Sequence, residues 1–182
     1  MRNNDDIKHI WITSDLHFLH PKIVDICSRP TTIKDHDEWL LDRINSCVGK
    51  KDELYILGDV SMANRIETEK ILQRMNGIKH LIPGNHDNNL LSSTYFKCIH
   101  PLIHDFNFNS ELYPNIHIVM CHYPIASWNR KVHGSMHLYG HTHNRFQNNG
   151  MSFDIGVDAN DYLPLNLEQV FDKFTKISLN LM

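Results

Sequence analysis

Residues 53–59 read Glu53-Leu54-Tyr55-Ile56-Leu57-Gly58-Asp59, a short apolar run that stops directly at a glycine and an aspartate. A run of this length bounded by a turn signal predicts a buried strand. Residues 9–14 show the same pattern and end at Asp15, so both strands stop at an aspartate. Between them, residues 35–48 set Leu40, Ile44, Cys47 and Val48 at helical spacing, with Thr32 and Asp35 as a capping pair. The unit is therefore strand, helix, strand. Downstream, residues 66–75 predict a second helix closed by Asn76-Gly77, and residues 79–82 a third strand that runs into Pro83-Gly84. Alternation of this kind is the signature of parallel α/β structure.

Beyond residue 95 the texture changes. Residues 96–102, 104–108, 116–121, 136–139 and 152–157 read as strands separated by turns containing Asn and Gly, and only residues 167–174 read as helix. No repeat, low-complexity tract or linker interrupts the chain, so the change marks a second sheet of the same domain, and residues 1–182 are read as one domain. That length is enough to bury an ordinary core.

Composition narrows the function classes. Hydrophobic residues make up 41% and charged residues 21%, the balance of a soluble globular protein. A formal charge of -3 lacks the basic field that holds a nucleic-acid backbone, so no duplex partner is expected. The start of the chain is polar rather than basic and then apolar, and no run approaches a membrane span, which predicts a cytoplasmic protein with no membrane association. Four cysteines without C-x-x-C spacing predict reduced thiols rather than a zinc knuckle or a redox pair. The sequence carries no signal of oligomeric state.

Histidine is the unusual component, with 14 in the chain. Five short motifs occur in order: Asp15-Leu16-His17, Gly58-Asp59, Gly84-Asn85-His86-Asp87, His122, and Gly140-His141-Thr142-His143. Each begins where an apolar run stops, which is where an open α/β sheet gathers site residues. The first two motifs alone are uninformative. A G-N-H-D tetrapeptide is expected roughly 0.005 times in such a chain and a G-H-x-H roughly 0.05 times, so the ordered set is not an accident of composition. Carboxylate, imidazole and amide donors without thiolate suit divalent Mn, Fe, Zn, Ni or Mg rather than a structural zinc held by sulfur. Two neighbouring ions need a shared ligand, and Asp59 is the natural bridge.

In their order and identity these motifs resemble the calcineurin-like metallophosphoesterase superfamily over residues 9–170. Arg29-Pro30, Ser127-Trp128-Asn129 and Val157-Asp158-Ala159-Asn160 are similar to its small single-domain bacterial and phage members. The resemblance implies an α/β/β/α sandwich of four layers, two facing mixed sheets flanked by helices. It also implies two divalent ions per chain, Mn foremost, with Asp15, His17 and His143 on one, Asn85, His122 and His141 on the other, and Asp59 on both.

Such a pair lowers the pKa of water from 15.7 toward about 7, so a bridging hydroxide can attack phosphorus in line. His86, directly after Asn85, is the expected general acid, oriented by Asp87. His20, Arg29, Arg130 and Arg145 lie in or next to loops that flank ligand positions, where they either contact substrate phosphate or form solvated surface. Trp128 either stacks a nucleobase or packs. After Asp59 the chain reads Val60-Ser61-Met62-Ala63-Asn64, without the Asp-Arg pair of serine/threonine protein phosphatases. A small phosphodiester such as a nucleotide is therefore the leading substrate. The alternatives are a phosphomonoesterase of the same mechanism and a non-catalytic protein-binding scaffold on the same fold.

Overall fold

The structure is a computed structural model and describes residues 4–180; the polar reading of residues 1–3 lies outside them. The described residues form two mixed sheets that face each other. The first has five strands, β1 (Ile10–Thr13), β2 (Glu53–Ile56), β3 (Ile78–Leu81), β4 (Cys98–Ile99) and β9 (Leu165–Asn166), in the order β4-β3-β2-β1-β9. β1 to β4 run parallel, and β9 lies antiparallel on β1. Register decides where the loops emerge. Thr13 pairs with Ile56 and Ile56 with Leu81, so three parallel strands finish level. The segments that follow, carrying Asp15, Asp59 and Asn85, leave the same edge of the sheet.

The second sheet comprises β5 (Ile103–Phe108), β6 (Ile116–Cys121), β7 (Met136–Tyr139) and β8 (Ser152–Asp154), in chain order. Only β5 and β6 are antiparallel; β6, β7 and β8 run parallel, joined by loops rather than tight turns or α-helices. Those loops hold His122 and the residues from Gly140 to His143. A backbone bridge between Ser14 and Gly156 ties the carboxyl ends of the two sheets together.

Burial explains the layers. Ile12, Leu57, Phe106, Phe108, Ile118, Met120, Leu138 and Ile155 form the core between the sheets, joined by Val170, Phe171 and Phe174 from helix α4 (Leu167–Asn180). Two further helices, α2 (His36–Cys47) and α3 (Arg65–Arg74), cover the other face of the first sheet through Leu40, Leu41, Ile44, Ile71 and Leu72. Each such side chain contributes about 1.5–3 kcal/mol on burial. Asn64 starts α3 by accepting the Glu67 amide at 3.1 Å, a cap that satisfies one orphan donor of the first turn. Thr32 and Asp35 do hydrogen-bond each other at 2.6 Å, but the Asp35 side chain caps no helical amide. On the outer face of the second sheet, Trp128 packs on His137 with ring centroids 5.1 Å apart.

Several elements differ from their sequence reading. Helix α1 (Ile23–Cys27) and β9 are too short for periodicity to register. Only Cys98 and Ile99 of the expected 96–102 strand pair, and α4 runs on to Asn180. The expected 152–157 strand stops at Asp154 because its carboxylate accepts the Gly156 amide at 2.7 Å, while the Asn160 side chain donates to the carbonyls of Asp154 and Gly156. Local polar bonds of this kind compete with a continued ladder, and past Asp154 the chain passes from Tyr139 to a bridge with Ser14 of the other sheet. Three histidines outside the motifs, His80, His100 and His104, stack with Tyr55 between the sheets. All four cysteines are free thiols, and no helix among the described residues is long and apolar enough to cross a membrane.

Candidate metal centre

The loops after β1 and β2 run side by side. Asp15 donates its amide to the Gly58 carbonyl, His17 to that of Asp59 and Phe18 to that of Val60, at 3.0–3.1 Å. This carries Asp15, His17 and Asp59 beyond the strand ends as one rigid pair of loops. Donor atoms of Asp15, His17 and His143 all lie within 4.8 Å of one another, and so do those of Asp59, His122 and His141. Asp59 joins the two groups, since its Oδ2 is 3.6 Å from His17 Nε2 and 3.5 Å from His122 Nε2. His122 Nε2 is also 3.2 Å from Asn85 Oδ1 and 3.2 Å from His141 Nδ1.

The donors fit divalent cations. Both ring nitrogens of His17 are buried without a hydrogen-bond partner, a costly arrangement unless a cation takes a lone pair. His122 Nδ1 donates to the Leu57 carbonyl at 2.7 Å, which turns Nε2 toward Asn85, His141 and Asp59. His143 likewise donates Nδ1–H to Asp158 Oδ2 at 2.7 Å. Burial pushes the Asp15 carboxyl up to about 7 and the His17 imidazole down to about 3. Burial also acts upward on Asp59, but the hydrogen bond and charge of His122 outweigh it and hold the carboxyl at about 2. In His143 burial acts downward and is outweighed by the bond to Asp158, which lifts the ring to about 10 and makes it a basic donor. Carboxylates and lone pairs this deeply buried need compensating positive charge.

The backbone is strained where these donors sit. Asp15, His17, Asp59, His141 and His143 have φ of 59°, 51°, 54°, 69° and 48°, the left-handed region that costs an L-residue about 1–2 kcal/mol. Such strain persists at sites whose surroundings over-determine the backbone. Two glycines permit the close approach. Gly58 has φ of 81°, and a Cβ there would sit 2.5 Å from the Gly84 nitrogen. A Cβ on Gly140 would lie 2.0 Å from Ser14 Oγ and 2.4 Å from Asp15 Oδ2, beside the His141 amide that donates to both Asp15 oxygens at 2.9–3.0 Å. Gly140→Ala is therefore expected to cost about 1–3 kcal/mol by overpacking and to weaken ion binding at Asp15 and His141. Thermal melting with and without Mn²⁺ checks this; a variant whose melting temperature and metal-induced shift match the wild type would contradict it.

The profile of the calcineurin-like phosphoesterase family matches residues 8–163. The chain belongs to the calcineurin-like phosphoesterase family. Two relatives match over nearly their whole lengths. Gene 66 protein of Mycobacterium phage D29 is 28% identical over 198 residues, covering 88% of this chain and 94% of the relative. MJ1445, an uncharacterized protein of Methanocaldococcus jannaschii, is 24% identical over 174 residues, covering 90% of each chain. The crystal structure of AQ665, a protein of unknown function from Aquifex aeolicus, shares the fold, with a TM-score of 0.68 at 23% identity over 90% of this chain and 97% of that one. As a calcineurin-like phosphoesterase the chain is a metal-dependent hydrolase of phosphate esters, and the His/Asp groups described above are its candidate ion sites.

Within this calcineurin-like site, Asp15, His17, Asp59, Asn85, His122, His141 and His143 converge from five loops. His86 stands beside them. Its amide donates to Asp59 Oδ1 at 3.1 Å, its ring lies 5.8 Å from that of His17, and its side chain is 38% exposed, open to an incoming ester. His20 also borders His17, at 5.6 Å, and its Nδ1 accepts the Lys22 amide, which leaves the proton on Nε2.

Three expectations are corrected. Asp87 does not orient His86: its buried oxygens accept the amides of Asp59, Gly84 and Val60 at 2.8–3.0 Å, so it shapes the loop under Asp59 instead. Arg29 is no surface phosphate contact, because its side chain is fully buried and bonded. Trp128 is only 7% exposed, and its indole donates to the Ser135 carbonyl, so it packs rather than stacking a base. Arg145 donates to the Ile26 carbonyl near the end of α1. Arg130 is exposed and opens the turn Lys131–His133.

Three residues escaped the sequence reading. Tyr123 donates its hydroxyl toward Asn85 Oδ1 at 3.4 Å and sets its ring edge-on to His141. Its position directly after His122 was the available signal. Asp154 accepts from Thr142 Oγ1 at 2.7 Å and the Asn144 amide at 3.0 Å, which pins the loop of His141 and His143. Asp158 was visible only as part of a family-like segment.

Proposed function

We propose that this calcineurin-like phosphoesterase hydrolyses a small phosphodiester, of which a nucleotide is one example, at a centre for two divalent ions. The observation that supports this best is the placement of Asp59 Oδ2 midway between His17 and His122, at 3.6 and 3.5 Å. Asp15, His17 and His143 would hold one ion, Asn85, His122 and His141 the other, and Asp59 both; manganese suits this oxygen and nitrogen set. Bound ions supply Lewis acidity that offsets phosphoryl charge and lowers the pKa of water toward about 7.

The chain's own groups do the rest. Leu57 and Asp158 hold the His122 and His143 rings with Nε2 inward. His86, solvent-facing and anchored through its amide to Asp59, gives a proton to the departing alkoxide. His20, whose ring lies 5.6 Å from that of His17, would donate from Nε2–H to a phosphoryl oxygen. Leu16 and Phe18, on either side of His17 in the chain, are fully buried in the core under the helices and anchor that loop.

The test uses the full chain stripped with a chelator and resupplied with Mn²⁺, assayed on bis-p-nitrophenyl phosphate and p-nitrophenyl phosphate. Metal-dependent cleavage with the diester preferred is the expected result. Cleavage of the monoester alone would make the protein a phosphatase, and cleavage of neither would favour a scaffold.

A further inference from the structure

Arg29 and Asp158 stand 129 positions apart, and neither belongs to the metal-binding motifs, yet they form a buried ion pair against the centre. The Arg29 guanidinium uses all five of its N–H donors. Nε and one terminal nitrogen donate to the two Asp158 oxygens at 2.9 and 2.8 Å. That same terminal nitrogen donates to the Asp15 carbonyl at 2.8 Å, and the other donates to the Leu16 carbonyl at 2.9 Å and to His36 Nε2 at 2.8 Å. His36 in turn passes Nδ1–H to Asp37 Oδ1, which also accepts the Leu19 amide. One cation therefore grips the backbone of Asp15 and Leu16 directly and that of Leu19 through two side chains. Asp158 Oδ2 has a second partner, His143 Nδ1, at 2.7 Å.

A buried ion pair is a poor stability device, because desolvating both charges offsets most of their attraction. Orientation accounts for it better. Asp15, His17, Leu19 and His143 all hold left-handed backbone, and only a network with fixed directions keeps such residues aligned. A planar guanidinium supplies that network, whereas a lysine ammonium, with three donors, cannot serve the same five acceptors.

We propose that Arg29 and Asp158 are positioning residues for the group Asp15, His17 and His143. Asp158 sets the His143 ring with Nε2 toward Asp15 and His17, and Arg29 locks Asp158 to the loop that carries the other two donors. The inference rests on the reading of that group as an ion site. Cys27, His143 and Asp158 also lie close enough to hold an ion of their own. Arg29 argues against it, since both Asp158 oxygens already face a guanidinium.

The metal-free full chain and its Asp158→Asn variant are titrated with Mn²⁺ by calorimetry, with elemental analysis of the saturated proteins. The wild type is expected to bind two ions. In the variant one ion should weaken by about 10–100-fold while the other keeps its wild-type affinity. Unchanged affinity for both ions overturns the inference, as does equal weakening of both, the mark of general loosening. A third ion in the wild type that Asp158→Asn removes also overturns it, by making Asp158 a ligand. A wild type that binds no ion overturns the metal reading and this inference with it. If Asp158→Asn does not fold, Arg29→Lys is titrated in its place, with the same outcomes.

Discussion

Asp59→Asn is expected to deplete both ions at once and to lower phosphoester hydrolysis by about a thousandfold or more, the rate equivalent of the several kcal/mol that metal charge contributes to such reactions. The effect follows from position. Asp59 Oδ2 stands between His17 Nε2 and His122 Nε2, within 3.6 Å of a donor in each group. Its substitution leaves Asp15 as the one carboxylate among the seven proposed ligands. An amide nitrogen at Oδ2 would bring N–H donors toward ring lone pairs, whereas one at Oδ1 would lose the bond from the His86 amide. The metal-free variant should still fold, since the side-chain shape is kept and a buried charge is removed. Elemental analysis and thermal melting with and without Mn²⁺ read both effects. Two ions retained per chain would show that Asp59 is not the bridge.

His86→Ala has the opposite profile. Both ions should stay, because the ring stands beside the donors rather than among them. Turnover should fall by about 10²–10⁴, the range for loss of a general acid. With a side chain 38% exposed, stability should change little. Leaving-group dependence separates proton donation from a general disturbance. A p-nitrophenolate departs without protonation and should be affected least, whereas an alkyl alkoxide from the same phosphoryl group should be affected most. Equal losses on both esters, or full activity in the variant, would remove the role given to His86.

Much of the frame was legible in local pattern. β6 and β7 fall where the sequence places them, α2 and α3 lie within one residue at each end, and each strand beside the centre stops where a ligand motif begins. Strand and helix periodicity are local properties, so a single sequence carries them. Elements with little periodicity of their own were lost: α1 has five residues and β9 two. The parallel pairing of β6, β7 and β8 was also hidden, because loop length and composition do not report strand direction when no helix makes the crossover.

The residues near the centre divide in the same way. Asp15, His17, Asp59, Asn85, His122, His141 and His143 were chosen from donor chemistry and order along the chain, and these are properties a sequence contains. Their meeting was decided by tertiary structure, through the level register of Thr13, Ile56 and Leu81 and through backbone bonds that hold five of the donors at positive φ. Arg29, Asp87 and Trp128 changed roles for the same physical reason. A polar or aromatic side chain in a loop reads as exposed until distant segments bury it, and those contacts arise only when residues far apart in the chain are packed together.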